Sequence, residues 1–419
     1  MSIKKKLFAL GTAMLILINL CSCGQKIEKY DSENPQTTLA TITHATTSKN
    51  ITISDSLSEP EEKPDSIVRI VCAGDNLIHD CIYEQADARA GKKGDGKYDF
   101  SYVYQNVIDY IKDADLSVLN QETIVTDEFP PSTYPCFCSP EALGDYMIDV
   151  VGFDAVSLSN NHILDKGEKG LLATLKYWDT KHPDVIRYGA YKNTDDMNHI
   201  RVKEVNDIKF AFLGYMEHTN GIKHKAEQGS ELVYLSEREL ETIENQIKEA
   251  KKIADIVIVS PHFGVEVSNV VTDQQKNLSK KFVEWGADII VGTQPHTLQT
   301  CEWIEREDGT KGFVYYCLGN FVSGMTSSYA MLGGLADFTV RKNYKTGEVT
   351  IEEPKIIPMV SHFERDYTNV TIYPYSKYTE ELAKVHGLSP QYREAKFTFK
   401  FLKEALEELE IPDEFMLIK

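Results

Sequence analysis

Between residues 67 and 319 short apolar runs recur, each separated from the next by amphipathic sequence. They are IVRIVCA (67–73), DLSVLN (115–120), DAVSLS (154–159), VIRYG (185–189), IKFAFLGYM (208–216), DIVIVSP (255–261), DIIVG (288–292) and GFVYYCLG (312–319). Each has the length of a strand and is too short for a buried helix. They are mostly continuous rather than alternating, which is the pattern of sheets covered on both faces. The stretches between them, 101–113, 140–150, 168–180, 236–254 and 272–286, repeat apolar residues three and four apart, the period of a helix packed on one side. Strands and helices in alternation predict a layered α/β domain. After about 335, ADFTVRKNYKTGEVTIEEPKIIPMVS reads as antiparallel strands around a turn at Lys345-Thr346-Gly347. Residues 377–410 read as charged helix.

The polar residues at the strand exits are not ordinary loop composition. The first run ends in GDNLIHD, with Asp75 and His79, and the second in NQET, with Asn120 and Glu122. The third ends in SNNHILDKG, with Asn160, Asn161, His162 and Asp165. PHFGVE supplies His262 and Glu266, GTQPHTLQ supplies Gln294, His296 and Gln299, and LGNF supplies Asn320. Turn chemistry explains Asn, Asp and Gly at such places. It does not explain histidines at several separate strand ends. Sites in α/β sheets form beyond the carboxyl ends of strands. Oxygen and imidazole donors gathered from distant loops suit a divalent zinc, manganese or iron ion, and two such ions can polarise a substrate oxygen and generate a nucleophile.

The start of the chain carries a basic MSIKKK followed by the apolar LFALGTAMLILINL (7–20), too short to span a bilayer comfortably and fitted to a secretory signal. Leu20-Cys21-Ser22-Cys23 resembles a bacterial lipoprotein cleavage box, which makes Cys23 the expected lipidated residue and residues 1–23 the signal peptide. Residues 24–66, rich in Ser, Thr, Glu, Lys and Pro, have the composition of a tether. The folded domain is expected over 67–362, with a helical extension over 363–419. Cys72 and Cys317 lie in apolar runs as small core residues, and Cys136-Phe-Cys138 lacks the spacing of a zinc pair. A net charge of -19 argues against a nucleic-acid partner.

GD at a strand end, N-x-E, NNHxxDxG, HxGxE, G-x-x-PH-x-x-Q and LGNF occur here in that order. The set resembles the CapA family of capsule, or poly-γ-glutamate, biosynthesis proteins, itself similar to calcineurin-like metallophosphatases, over roughly residues 68–325. The resemblance implies a four-layer α/β/β/α sandwich and a centre of one or two divalent ions. It implies Asp75, Glu122, Asn161, His262 and His296 as metal ligands and His162 as the acid or the group that stabilises the leaving oxygen, with Asp165 orienting His162 or capping the helix that begins near Lys169. His79, Asn120, Glu266, Gln294 and Asn320 are expected in the pocket wall. The chain departs from the superfamily's D-x-H at Leu77, where His79 is the nearest substitute. It carries Gln294 where the family commonly has a histidine, and Phe263 and Val267 where it has an aromatic pair. The implied function is a lipid-anchored, extracytoplasmic, metal-dependent hydrolase or transferase in capsule polymer production, acting on an anionic polymer or envelope substrate, with a membrane synthesis or export complex as a partner. The alternatives are a non-catalytic polymer-binding or export subunit and a nucleotidase-like phosphoesterase.

Overall fold

The computed structural model describes residues 63–393 and 396–418. The expected signal peptide, Cys23 and all of the expected tether but residues 63–66 lie outside the described residues; Ser66 opens the first strand and Lys63 pairs with Asp207 at 2.6 Å. The strands are β1 (Ser66–Asn76), β2 (Leu116–Asn120), β3 (Ala155–Ser157), β4 (Ile186–Tyr188), β5 (Arg201–Val205), β6 (Ile208–Met216) and β7 (Ile256–His262). They continue with β8 (Ile289–Val291), β9 (Cys301–Glu305), β10 (Lys311–Tyr315), β11 (Asn320–Val322), β12 (Leu332–Lys342), β13 (Val349–Glu364) and β14 (Thr368–Pro374). All eight apolar runs are strands. Sheet one has the order β14-β13-β12-β1-β2-β3-β4, with β11 beside the end of β1. Sheet two has the order β5-β6-β7-β8-β10-β9.

Residue alternation within the apolar runs explains why both faces are buried. In sheet two, Ala211, Leu213, Tyr215, Val257, Val259, Val314 and Tyr316 meet Ile243, Ile247, Leu278 and Phe282 of helices Leu240–Ile253 and Asp273–Trp285. The intervening Phe210, Phe212, Ile256, Ile258, Phe313 and Tyr315 join the core shared with sheet one. Phe212 packs on Tyr188 with ring centroids 5.6 Å apart, and Tyr315 on Phe338 at 6.2 Å. Helix Gly167–Lys181 covers sheet one with Leu171, Leu175 and Trp178 against Val156 and Leu158. The result is the expected α/β/β/α layering.

Several elements differ from the sequence reading. Residues 101–113 form two short helices, Ser101–Tyr104 and Ile108–Lys112. The helix Asp80–Arg89 follows β1 without a strong amphipathic signal. β5 and β9 are antiparallel edge strands of modest apolarity, paired with β6 and β10. The region after 362 is not purely helical. β13 crosses that boundary and β14 pairs with it antiparallel, so the expected extension supplies an edge strand before helices Glu380–Val385 and Phe399–Glu408. Phe415 packs on Phe313 at 5.0 Å.

β1 to β4 run parallel, as do β6, β7, β8 and β10. Their carboxyl ends supply the polar motifs. Two glycines let backbones meet there. A Cβ on Gly74 would lie 2.0 Å from Gly319 O, and one on Gly292 2.0 Å from Tyr316 O. The first contact brings β11 alongside Asp75, which pairs in parallel register with Asn320.

Candidate metal centre

Asp75 is the penultimate residue of β1, Glu122 lies two residues beyond β2, Asn161 and His162 lie in the loop after β3, His262 is the last residue of β7, and His296 lies in the loop after β8. All are buried. Glu122 is the middle of the group. Its Oε1 stands 3.6 Å from His262 Nε2 and 3.7 Å from His296 Nε2. These gaps are too long for hydrogen bonds. They are spacings that donors take when each is roughly 2.0–2.2 Å from one ion.

On one side of Glu122, His296 Nδ1 lies 3.0 Å from Asp75 Oδ2, and Asp75 Oδ1 accepts from Asn120 Nδ2 at 2.7 Å. Asp75 thus holds the imidazole so that Nε2 faces Glu122, the carboxylate–histidine arrangement found around metal sites. Each Asp75 oxygen keeps a further lone pair. On the other side, His262 Nδ1 meets Thr293 Oγ1 at 2.8 Å and Nε2 lies 3.1 Å from Asn161 Oδ1. With Nδ1–H donated to Thr293, the lone pairs of His262 Nε2, Asn161 Oδ1 and Glu122 Oε1 converge.

The electrostatics point the same way. Both Glu122 oxygens are buried without a hydrogen-bond partner, and so is Asn120 Oδ1. Buried acceptors are normally satisfied, so unpartnered oxygens gathered at one point fit a cation. Burial, then the Asp75 charge, pushes the Glu122 carboxyl well above its ordinary range. Burial opposes a charged His296, but Glu122 and Asp75 outweigh it and raise its pKa to about 9. Burial, His296 and His162 push His262 well below its ordinary value. The buried Asp75, Glu122 and His296 could therefore hold a metal ion, their ligand atoms lying within 4.8 Å of one another.

His162 stands beside this group. Its Nδ1 lies 2.8 Å from Asp165 Oδ2, and Phe137 stacks edge-on against its ring at 4.7 Å. Asp165 also accepts from Phe137 N–H, so one carboxylate ties the imidazole to a second loop.

The pocket-wall residues divide. His79 is separate. Its Nδ1 accepts from Gly324 N–H at 3.0 Å, and its ring meets the far side of Phe137 at 5.1 Å. That nitrogen also lies 3.1 Å from Leu77 O, so both of its neighbours are main-chain groups. Leu77 is buried apolar surface. Asn320 Nδ2 donates to the main-chain oxygens of His296 and Ala330 at 3.3 and 3.1 Å, supporting the His296 loop. Gln294 Nε2 donates to the exposed Glu266 at 3.3 Å while its Oε1 stays buried and unpartnered. Asn160 and Gln299 are occupied in loop structure, with Asn160 Oδ1 accepting His162 N–H and Gln299 Nε2 donating to Ser268 O and Val270 O.

The loop after β8 is strained. Gln294 and His296 have φ of 97° and 58°, a region costly for residues other than glycine. The loop is held by Val267 N–H on Pro295 O at 2.8 Å and by Thr297 Oγ1 on Ser268 O at 2.8 Å. The sequence reading passed over Thr293, Phe137 and Asn220. Thr293 was detectable as the residue before Gln294 in a motif already singled out. Phe137 and Asn220 carry no local signal.

The chain is 30% identical to capsule biosynthesis protein CapA of Bacillus anthracis over 252 residues, 59% of this chain and 60% of that one. It is 33% identical to PGA biosynthesis protein CapA of Bacillus subtilis (strain 168) over 193 residues, 46% of this chain and 48% of that one. The matches thus span less than two thirds of either relative. Among solved structures, a phosphatase from Mycoplasma pneumoniae aligns with a TM-score of 0.41 and 13% identity, covering 71% of this chain and 94% of that one. The 5'-nucleotidase of Candida albicans SC5314 aligns with a TM-score of 0.36 and 8% identity, covering 81% and 56%. These two likenesses are remote and carry none of the argument. Residues 69–325, which contain every residue of the centre, match the family described as bacterial capsule synthesis protein PGA_cap, and the chain belongs to that family.

Proposed function

We propose that the chain is a metal-dependent hydrolase or transferase acting on an anionic capsule polymer of the poly-γ-glutamate type, outside the cytoplasm and held to the membrane by lipid on Cys23. The observation that carries the enzymatic reading is Glu122, a fully buried carboxylate with two unpartnered oxygens between two imidazoles. A structural role would leave that carboxylate hydrogen-bonded.

One ion would be held by Glu122, His296 and Asp75, and a second by Glu122, His262 and Asn161, with manganese, iron or zinc suited to these donors. A bound divalent ion supplies Lewis-acid polarisation of a carbonyl or phosphoryl oxygen. The protein's own groups do the rest. Asp165 accepts the His162 Nδ1 proton and so leaves Nε2 to hold or give a proton at the leaving atom. His162, 6% exposed, lies nearest solvent of the imidazoles around Glu122, where a polymer strand would arrive. An anionic substrate on a chain of net charge -19 needs local positive charge, which the ion provides.

The test is elemental analysis of the full chain, joined to the size distribution of poly-γ-glutamate incubated with it. One or two equivalents of metal and a changed polymer length would support the proposal. Metal with cleavage of a phosphoester probe alone would favour the phosphoesterase alternative. No metal after loading with manganese, iron and zinc would leave a polymer-binding or export subunit.

A further inference from the structure

Asn220 belongs to no motif of the strand exits. It lies in the exposed loop that follows β6, and its side chain reaches back between two residues of the centre. Its Oδ1 accepts from Asn161 Nδ2 at 3.2 Å, and its Nδ2 faces the ring nitrogens of His162 at 3.3 and 3.5 Å. We infer that Asn220 is a positioning residue that fixes which end of the Asn161 amide faces Glu122 and His262. This rests on the metal-centre reading and goes beyond it.

The argument follows hydrogen-bond direction. Only the oxygen of an asparagine amide can ligate a cation, and the two ends exchange by a half-turn of one soft torsion. Something must therefore hold the nitrogen away from the ion. His162 Nδ1 lies 2.8 Å from Asp165 Oδ2, a contact that fixes the ring. Asn220 Nδ2 lies against that fixed ring, 3.3 Å from Nδ1 and 3.5 Å from Nε2. With its nitrogen committed to the imidazole, Asn220 turns its oxygen to Asn161. Asn161 answers with N–H, and its own oxygen is left 3.1 Å from His262 Nε2. Four side chains, Asp165, His162, Asn220 and Asn161, thus form a chain of contacts that ends at the centre.

The backbone is built to deliver that amide. Asn220 has φ of 52°, in the left-handed region that asparagine tolerates better than most residues. Its turn is closed by Ile222 N–H on Thr219 O at 2.8 Å and by Thr219 Oγ1 on Ile222 O at 2.7 Å. These facts choose the variants. Asn220→Gly keeps the left-handed backbone and removes the amide. Asn220→Asp keeps an acceptor for Asn161.

Mn2+ binding to the full chain in detergent, followed by calorimetry and by electron paramagnetic resonance, tests the inference without an activity assay. Orienting partners of metal ligands typically contribute 10–100-fold in affinity. Asn220→Gly is expected to weaken Mn2+ binding by about 10-fold or more, with the melting temperature of the metal-free protein unchanged. Asn220→Asp should recover most of the loss. In an Asn161→Ala background Asn220→Gly should add nothing, because the amide it orients is gone. Wild-type affinity in Asn220→Gly, beside a wild type that binds Mn2+, would overturn this inference alone. A full additional loss in the Asn161→Ala background would also overturn it. No Mn2+ uptake by the wild type would overturn the metal-centre reading and this inference together.

Discussion

Replacing Glu122 with glutamine separates a metal carboxylate from a structural one. The substitution keeps shape and removes one ionisable group from a position with no exposure. A structural carboxylate would be hydrogen-bonded, and losing it would leave its donors bare at about 1–3 kcal/mol. Glu122 has no such donors. The nearest nitrogens stand 3.6 and 3.7 Å away, and burial with the Asp75 charge favours its protonated form. In the metal-free protein the glutamine removes a carboxylate that burial opposes but also the charge that raises His296, so the two effects offset and stability should change by no more than about 1 kcal/mol. With metal the two proteins differ. A ligand at about 100 times its dissociation constant stabilises the folded state by about 2.7 kcal/mol. Losing the carboxylate shared by both sides of the centre should weaken binding at least about 100-fold, more than an orienting partner typically contributes. Most of that stabilisation disappears. The assay is urea unfolding of wild type and Glu122→Gln, with chelator and with saturating Mn2+. The expected pattern is variant stability within about 1 kcal/mol of wild type in chelator and a Mn2+ increment seen in wild type alone. A variant destabilised by more than about 2 kcal/mol in chelator, with its Mn2+ increment intact, would refute the reasoning.

His262→Ala should lower metal content or affinity while Thr293 keeps the strand end folded, and elemental analysis of matched samples checks it. Gly74→Ala places a Cβ 2.0 Å from Gly319 O, so it should cost about 3 kcal/mol or abolish soluble expression, whatever the metal, as read by denaturant melts. The metal-free protein should lose stability as pH rises from about 6.5 to about 9. Over that window folded His296 keeps a proton that the unfolded chain has released. Metal displaces the proton, so Mn2+ affinity should climb over the same range, and titration calorimetry in buffers of different ionisation heat would reveal the proton released. On the acid side, His362 and His386 are buried neutral, with burial lowering them to about 4 and about 2. The unfolded chain takes up protons there first, so stability should fall below pH 6.5, and replacing His386 with a neutral residue should flatten that limb of a pH-dependent melt.

What the sequence carried was decided by burial on two faces. IKFAFLGYM is β6 residue for residue because both of its faces meet apolar partners, so neither register nor length was ambiguous. RVKEV and CEWIE were missed because edge strands bury one side only, and their pairing with β6 and β10 is a tertiary fact. The site residues were legible for a different reason. Histidine and carboxylate at a strand exit are expensive to bury, so Asp75, Glu122, His262 and His296 stand out in sequences that would otherwise turn and leave. Residues that act through them leave no such mark. Phe137 and Asn220 reach the centre from loops whose only constraint is where they end, and a contact across 58 positions, such as Asn220 on His162, is invisible before folding.

Gln294 shows where a residue-by-residue inheritance of ligands stops being physical. An amide where the resemblance implied imidazole suggests a weakened centre. Yet Gln294 is not a failed copy of a histidine in its place. Its backbone has φ of 97°, its nitrogen is spent on Glu266, and its oxygen is buried without a partner. The side chain is polarised by the same device that polarises Asn161, a neighbour that takes the N–H and leaves the oxygen free. Two amides with their oxygens presented and their nitrogens tied, on opposite loops, are harder donors than imidazoles and shift preference from zinc toward manganese. Gln294→His should then raise zinc affinity relative to manganese, and a variant with an unchanged ratio would mean that the Gln294 oxygen never meets the ion.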